Sequence, residues 1–155
     1  YENWVSDSVE PRVVIPYVSM HGSTEAIVDY LVNAFTQKSL DVIPLNMTVK
    51  DLGELAIEIV DASTLLFGVP TMLLGPQPQM LYTMALINAL KPKTKYLSLV
   101  NSYGWGTKVT EAAKATLSNL KAEWVDTIAI KGYPKAKDFE ALDRLAGLIV
   151  EKNHV

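Results

Sequence analysis

The sequence predicts an α/β fold built on a doubly wound parallel sheet. Three observations predict it. Five apolar runs alternate with five amphipathic stretches along most of the 155 residues. The runs are near-continuous in apolar residues, as burial on both faces of a parallel sheet requires. The first run also passes through a short hydroxyl-rich turn straight into a helical pattern, and such sheets hold their ligands beyond the carboxyl ends of the strands.

Residues 1 to about 11 read as a lead-in of mixed polarity that ends in Glu10-Pro11. The first strand spans about 12–18, including Val13-Val14-Ile15-Pro16-Tyr17-Val18. The first helix covers about 24–37, with Ile27, Leu31, Ala34 and Phe35 at helical spacing. A second strand, Asp41–Leu45, ends in Asn46, and a second helix at about 51–59 carries Leu52, Leu55, Ala56 and Ile59 on one face. The third strand is Thr64–Val69. The third helix, about 77–90, is entered through Gly75-Pro76 and Pro78. The fourth strand, about 95–100, precedes a helix at about 107–120 whose apolar face is Val109, Ala112, Ala113, Leu117 and Leu120. Glu123–Ile130 makes the fifth strand. A last helix, about 137–152, carries the stripe Phe139, Leu142, Ala146 and Ile149. No internal repeat or low-complexity segment interrupts this alternation.

Composition narrows the function. Hydrophobic residues make 49% and charged residues 20%, the balance of a globular domain. The longest apolar runs fall far short of the roughly 20 residues of a membrane span. Tyr1-Glu-Asn-Trp4 lacks the basic and apolar regions of a signal peptide. It also lacks a starting Met, so the chain reads as a fragment or a processed product. The absence of cysteine rules out disulfides and thiolate metal sites, and fits the cytoplasm, the expected location. A net charge of −3 without a basic tract argues against nucleic acid. His21 and His154 sit at no metal-ligand spacing, so no metal site is expected in this chain.

The site is expected in the loops after the first, third and fourth strands. The first loop, Ser19-Met20-His21-Gly22-Ser23-Thr24, joins a strand to a helix N-terminus. Exposed N–H groups, the helix dipole and three hydroxyls suit a phosphate there. The plain alternative is that these hydroxyls only cap the helix. The second loop, Val69 to Pro78, holds three prolines and the apolar trio Met72-Leu73-Leu74. It either covers a flat ligand, contacts a partner or folds back on the core. The third, Asn101-Ser102-Tyr103-Gly104-Trp105-Gly106-Thr107, offers Tyr103 and Trp105 for stacking and glycines for close backbone approach. Its alternative is a pair of aromatics packed on a neighbouring helix. No Gly-x-x-x-x-Gly-Lys and no Gly-x-Gly-x-x-Gly occurs. One phosphate with one large flat ring describes FMN better than a nucleoside triphosphate or a dinucleotide.

On these motifs the chain resembles the flavodoxin family, and more narrowly the C-terminal flavodoxin-like domain of flavodiiron proteins. The residues that carry the resemblance are Ser19-Met-His-Gly-Ser-Thr-Glu25, Pro70-Thr71 with Gly75-Pro76, and Ser102-Tyr-Gly-Trp-Gly106. It runs from about Arg12 to the end. The segment around Tyr1 and Trp4 is similar to the linker joining that family's two domains. The resemblance implies a sandwich around a five-stranded parallel sheet of order 2-1-3-4-5. It also implies an FMN phosphate on Ser19, Met20, His21, Gly22, Ser23 and Thr24. Pro70, Thr71, Met72, Leu73, Leu74 and Gly75 would border the ring from one side, and Ser102, Tyr103, Gly104, Trp105 and Gly106 from the other. The sequence departs from the family at Leu73-Leu74, where polar residues are usual, and at Thr107, where a small residue is usual.

The same resemblance implies that a metallo-β-lactamase-like domain with two irons belongs to the whole protein, because nothing here supplies their ligands. It further implies a head-to-tail dimer that places FMN of one subunit beside the irons of the other. Electrons would come from reduced deazaflavin coenzyme or rubredoxin, and oxygen would go to water or nitric oxide to nitrous oxide. No catalytic side chain is expected in this domain. A free-standing flavodoxin, an electron carrier and not an enzyme, and an FMN-dependent quinone reductase are the competing readings. A receiver-like signalling domain is excluded by Val18-Ser19 and Val69-Pro70, which stand where it would need aspartates.

Overall fold

The computed structural model describes residues 10–18, 23–48, 52–60, 62–72, 75–76, 78–103, 109–131 and 134–153. Its parallel strands are β1 (Glu10–Tyr17), β2 (Asp41–Asn46), β3 (Ala62–Met72), β5 (Tyr96–Tyr103) and β6 (Glu123–Lys131). A two-residue antiparallel strand, β4 (Gly75–Pro76), pairs back onto the end of β3. The helices are α1 (Ser23–Gln37), α2 (Leu52–Glu58), α3 (Pro78–Leu90), α4 (Val109–Thr116) and α5 (Ala136–Asn153). The strand order is β2-β1-β3-β5-β6. With the β4 arm set aside this is the expected order 2-1-3-4-5, and every pairing along it is parallel.

Pleating explains why a continuous apolar strand suits this sheet. Successive side chains point to opposite faces, so a strand buried on both needs apolar residues throughout. In β1, Val13, Ile15 and Tyr17 enter one buried cluster, while Val14 and the following Val18 enter the other. The first cluster is closed by Ile27, Val28, Leu31 and Phe35 of α1 and by Leu142, Leu145, Ala146 and Ile149 of α5. The second is closed by Leu55 of α2, by Met80, Met84 and Ile87 of α3, and by Val109 and Ala113 of α4. The helical spacings read from the sequence therefore mark real inward faces, and they missed Val28 and Leu145. Edge strands β2 and β6 are only partly buried, so full burial on both faces holds for the central strands alone.

Four boundaries differ from expectation. β1 begins at Glu10, inside the stretch read as lead-in. β3 continues past Val69, although proline cannot donate to a ladder. Pro70 nevertheless keeps register with Ser102, and the extension is closed by the pairs Thr71–Pro76 and Met72–Gly75. Most of the second loop is thus a short antiparallel arm. β5 likewise runs through Asn101, Ser102 and Tyr103, which the sequence assigned to a loop. Buried Asn101 holds this extension from its side chain, donating Nδ2 to the carbonyls of Val69 (2.8 Å) and Ser102 (3.1 Å). α4 ends at Thr116 and not near 120, because the chain turns there and Asn88 Oδ1 accepts the Asn119 amide at 2.7 Å.

Candidate functional site

The register lines up one end of the sheet. Tyr17 lies beside Asn46 on one side and Gly68 on the other, and Pro70 lies beside Ser102. All are at or near the carboxyl ends of their strands. The loops after β1, β3 and β5 therefore leave from one edge, where open α/β sheets hold ligands.

The first and third loops are tied together directly. Thr24 Oγ1 and Ser102 Oγ lie 2.9 Å apart, either one able to donate, and both residues are buried. Thr24 sits in the first turn of α1 and Ser102 next to the last residue of β5, so this bond pins a helix N-terminus to a strand end. A hydroxyl pair owns two protons and uses one between its members. One proton therefore remains to be donated elsewhere.

Gly68 explains why the helix can come so close. A β-carbon there would lie 2.8 Å from Tyr17 Cβ, 3.1 Å from Thr24 Cγ2 and 3.2 Å from Val28 Cγ2. The missing side chain is the space into which the first turn of α1 packs. Below it, the Val18 amide donates to the Gly68 carbonyl (3.2 Å) and the Met47 amide to the Tyr17 carbonyl (2.8 Å), fixing the end of β1 from both sides. On β2, Asn46 Oδ1 accepts from the Thr48 amide (3.0 Å) and hydroxyl (2.6 Å) in an Asx turn. The amide nitrogen of Gln79, at the start of α3, donates to the Met47 carbonyl. Burial, then the charges of Glu25 and Asp29, push the Tyr17 phenol above its ordinary pKa, so it stays neutral at this edge.

Several expected site residues are placed. Ser23 opens α1, and Thr24 follows it, buried. Pro70 is buried in β3, Thr71 and Met72 end that strand, and Gly75 begins the returning arm. Ser102 is buried and Tyr103 half-buried at the end of β5, beside Lys131. Ser19, Met20, His21, Gly22, Leu73, Leu74, Gly104, Trp105 and Gly106 lie outside the described residues. Sequence reasoning missed Gly68 and Asn101 as organisers of the edge. The first had a signal, a glycine inside an apolar strand, which marks close approach. Among the described residues, no group of three or more His, Cys, Asp or Glu is placed to hold a metal, and no helix is long and apolar enough to cross a membrane.

No family model matches the chain. Among curated proteins, the rubredoxin-oxygen oxidoreductase of Megalodesulfovibrio gigas is 27% identical over 150 residues, covering 96% of this chain and 37% of that protein. A nitric oxide reductase of Moorella thermoacetica is 28% identical over 145 residues, covering 90% and 36%. The solved rubredoxin oxygen:oxidoreductase of Desulfovibrio gigas superposes with a TM-score of 0.91 at 25% identity, over 97% of this chain and 38% of that one. The chain is a flavodoxin-like domain related to the flavodiiron proteins. Other flavodiiron proteins and flavodoxins superpose as well, at identities that show the fold alone. The flavodoxin-like domain spans about two fifths of the length of the curated relatives it matches. Those named for an activity are oxidoreductases.

Proposed function

We propose that this domain binds FMN at the carboxyl edge of its sheet and serves as the electron-transfer module of a flavodiiron-type oxidoreductase. The observation that carries the proposal is the Thr24–Ser102 bond, which unites a phosphate-type helix N-terminus with the end of β5 at one edge. The residues present suit the group. α1 is a 15-residue helix whose N-terminus opens at that edge, where amides and dipole favour an anion. Gly68 gives the first turn the room to sit there. Ser19, Met20, His21, Gly22, Ser23 and Thr24 would hold the phosphate. The stretches Pro70–Gly75 and Ser102–Gly106 would flank the ring.

When bound, FMN supplies the redox chemistry, accepting a hydride or single electrons and passing on single electrons. The chain's own part is to bind, orient and bury. Thr24 and Ser102 fix the loop ends, and the proton left on their pair is available to an acceptor. Tyr17, neutral through burial, adds no negative charge beside an anionic group. No acid, base or nucleophile is assigned.

The partner reading rests on α3. Its 13 residues carry no charge, and Leu81 and Tyr82 are exposed at 40% and 61% on its outer side. A surface helix ordinarily turns charged residues outward, so this one suits cover by another protein surface. A di-iron domain of the longer protein, in a homodimer, is the cover proposed, with oxygen or nitric oxide reduced there. Reduced deazaflavin coenzyme or rubredoxin is the proposed donor, and the cytoplasm the proposed location. A second reading, a flavodoxin electron carrier, is favoured by the match of flavodoxins over nearly their whole length. An intact reading frame no longer than this chain would favour it.

Reconstitution tests the binding step. The purified chain should retain FMN through gel filtration, with the flavin absorbance, and should hold riboflavin, which lacks the phosphate, far less well. Failure to retain either flavin removes the proposal. Equal retention of both moves the phosphate away from the first loop.

A further inference from the structure

The opposite end of the sheet carries a basic recess. Lys91, Lys93, Lys95 and Lys121 line a cavity of about 410 Å³ together with Thr94 and Leu120. These are four of the chain's 14 lysines and arginines, in a protein whose net charge is −3. None of the described residues lining it is acidic. The nearest acidic residue along the chain, Glu123, is already engaged by Lys152 at 3.0 Å.

The recess is built from pinned segments. Thr94 is buried and donates its hydroxyl to the Ala62 carbonyl at 3.2 Å. The Lys95 amide donates to Ser63 (3.0 Å), and the Lys95 carbonyl accepts the Glu123 amide (2.9 Å). Across the cavity, Asn119 is held through its amide by Asn88 Oδ1 at 2.7 Å. Lys91 follows the end of α3 with φ 49°, a left-handed position where glycine is usual. The helix dipole accounts for a lysine at that end, but not for Lys95 and Lys121 lining the same recess. The sequence contains no basic tract. Three of these lysines stand within Lys91–Lys95, and the fourth joins only through the fold, from beyond α4.

We propose that this recess is a binding site for a small, multiply charged anion of phosphate type. Its volume falls in the range of small-molecule pockets. Like charges around a concave low-dielectric wall focus the potential into the cavity, which favours a compact anion over an extended acidic surface. Lysines bind phosphate as mobile point charges and need no fixed fork. The site is distinct from the flavin edge. β5 begins at Tyr96 beside the recess and ends at Tyr103 beside the flavin site, a span of about 25 Å for eight residues.

Titration of the chain with inorganic pyrophosphate, with and without added FMN and followed by calorimetry at low salt, tests the proposal. Saturable binding is expected, weakening as salt rises. The double variant K95Q/K121Q should bind pyrophosphate on the order of tenfold more weakly, with FMN retention unchanged. A control variant, Lys38→Gln, should bind pyrophosphate as the wild type does. No saturable uptake, or equal affinity in K95Q/K121Q, overturns the site. Binding of an acidic peptide without binding of pyrophosphate overturns it too, and makes the recess a protein-docking surface. Because the readout is heat of anion binding and not flavin chemistry, it fails independently of the FMN assignment.

Discussion

The Thr24–Ser102 bond makes a prediction in which stability and binding move in opposite patterns. Thr24→Val keeps the shape of the side chain and removes its oxygen. Ser102 then keeps a buried hydroxyl without its partner, since the two oxygens lie 2.9 Å apart and both residues are buried. Such an orphan costs about 1–3 kcal/mol. Ser102→Ala does the same to Thr24. In the double variant both oxygens are gone and no orphan remains. The double should therefore lose less than the sum of the singles, with a coupling of about 1 kcal/mol or more, read from urea unfolding of the flavin-free protein. Flavin affinity should behave differently. The wild-type pair has one proton to give outward, and each single variant still has one, on the surviving hydroxyl. Only the double has none, so FMN affinity should hold in both singles and fall on the order of tenfold in the double. Additive stability losses would mean that the hydroxyls do not share a bond. Flavin affinity falling in step with stability would mean that the pair only holds the fold together.

Other expectations follow from single residues. Gly68→Ala pushes a β-carbon to 2.8 Å from Tyr17 Cβ, a backbone-tethered atom that cannot swing away. A loss of about 1–3 kcal/mol is expected, roughly 2–4 °C in Tm per kcal/mol for a domain of this size, together with weaker FMN binding as α1 is displaced. Unchanged melting would show that the helix has slack there. The Tyr17 phenol has a folded pKa above its unfolded value near 10, so the native state keeps a proton that the unfolded state gives up. Its contribution is present below pH 10 and is lost as pH rises toward the folded value. In Tyr17→Phe the alkaline fall in stability should be shallower, checked by urea midpoints across that range. The Tyr30 phenol is raised in the same direction by its hydrogen bond to Asp143, so Tyr30→Phe should flatten the same limb. Leu81→Gln with Tyr82→Gln should leave the isolated chain's stability within about 0.5 kcal/mol, since both are exposed, while weakening any association that α3 mediates. A large loss of stability would place these side chains in the core.

Much of the fold was legible because burial imposes a pattern. Central strands packed on both faces must be apolar throughout, and β1 and β3 announce themselves as such. α1 and α5 show their inward faces at Ile27, Leu31, Phe35, Leu142 and Ile149 because one stripe of each is buried. Where the sequence reading failed, a local rule was overridden by a partner far along the chain. Pro70 should end a strand, yet the β4 arm and the register with Ser102 carry β3 onward. Asn101 should begin a loop, yet its amide binds Val69 from the neighbouring strand. Neither partner is visible from the local composition, because each exists only once the strands are side by side.

The site divides along the same line. Loop chemistry is local, so a hydroxyl-rich turn before a helix could be read as an anion site from Ser19 to Thr24 without any coordinates. What aims that turn is not local. Thr24 meets Ser102 from 78 positions away, and Gly68 matters only because α1 crosses β3 at that point. By local sequence the glycine is one more residue of an apolar strand, whereas its missing side chain lets the helix N-terminus sit against the sheet. A phosphate site here is thus two statements. The residue types say that an anion could bind, and the packing at Gly68 says where the helix end that would bind it must lie. The first would survive Gly68→Ala and the second would not, which is why that substitution is expected to weaken flavin binding without replacing any residue assigned to the flavin.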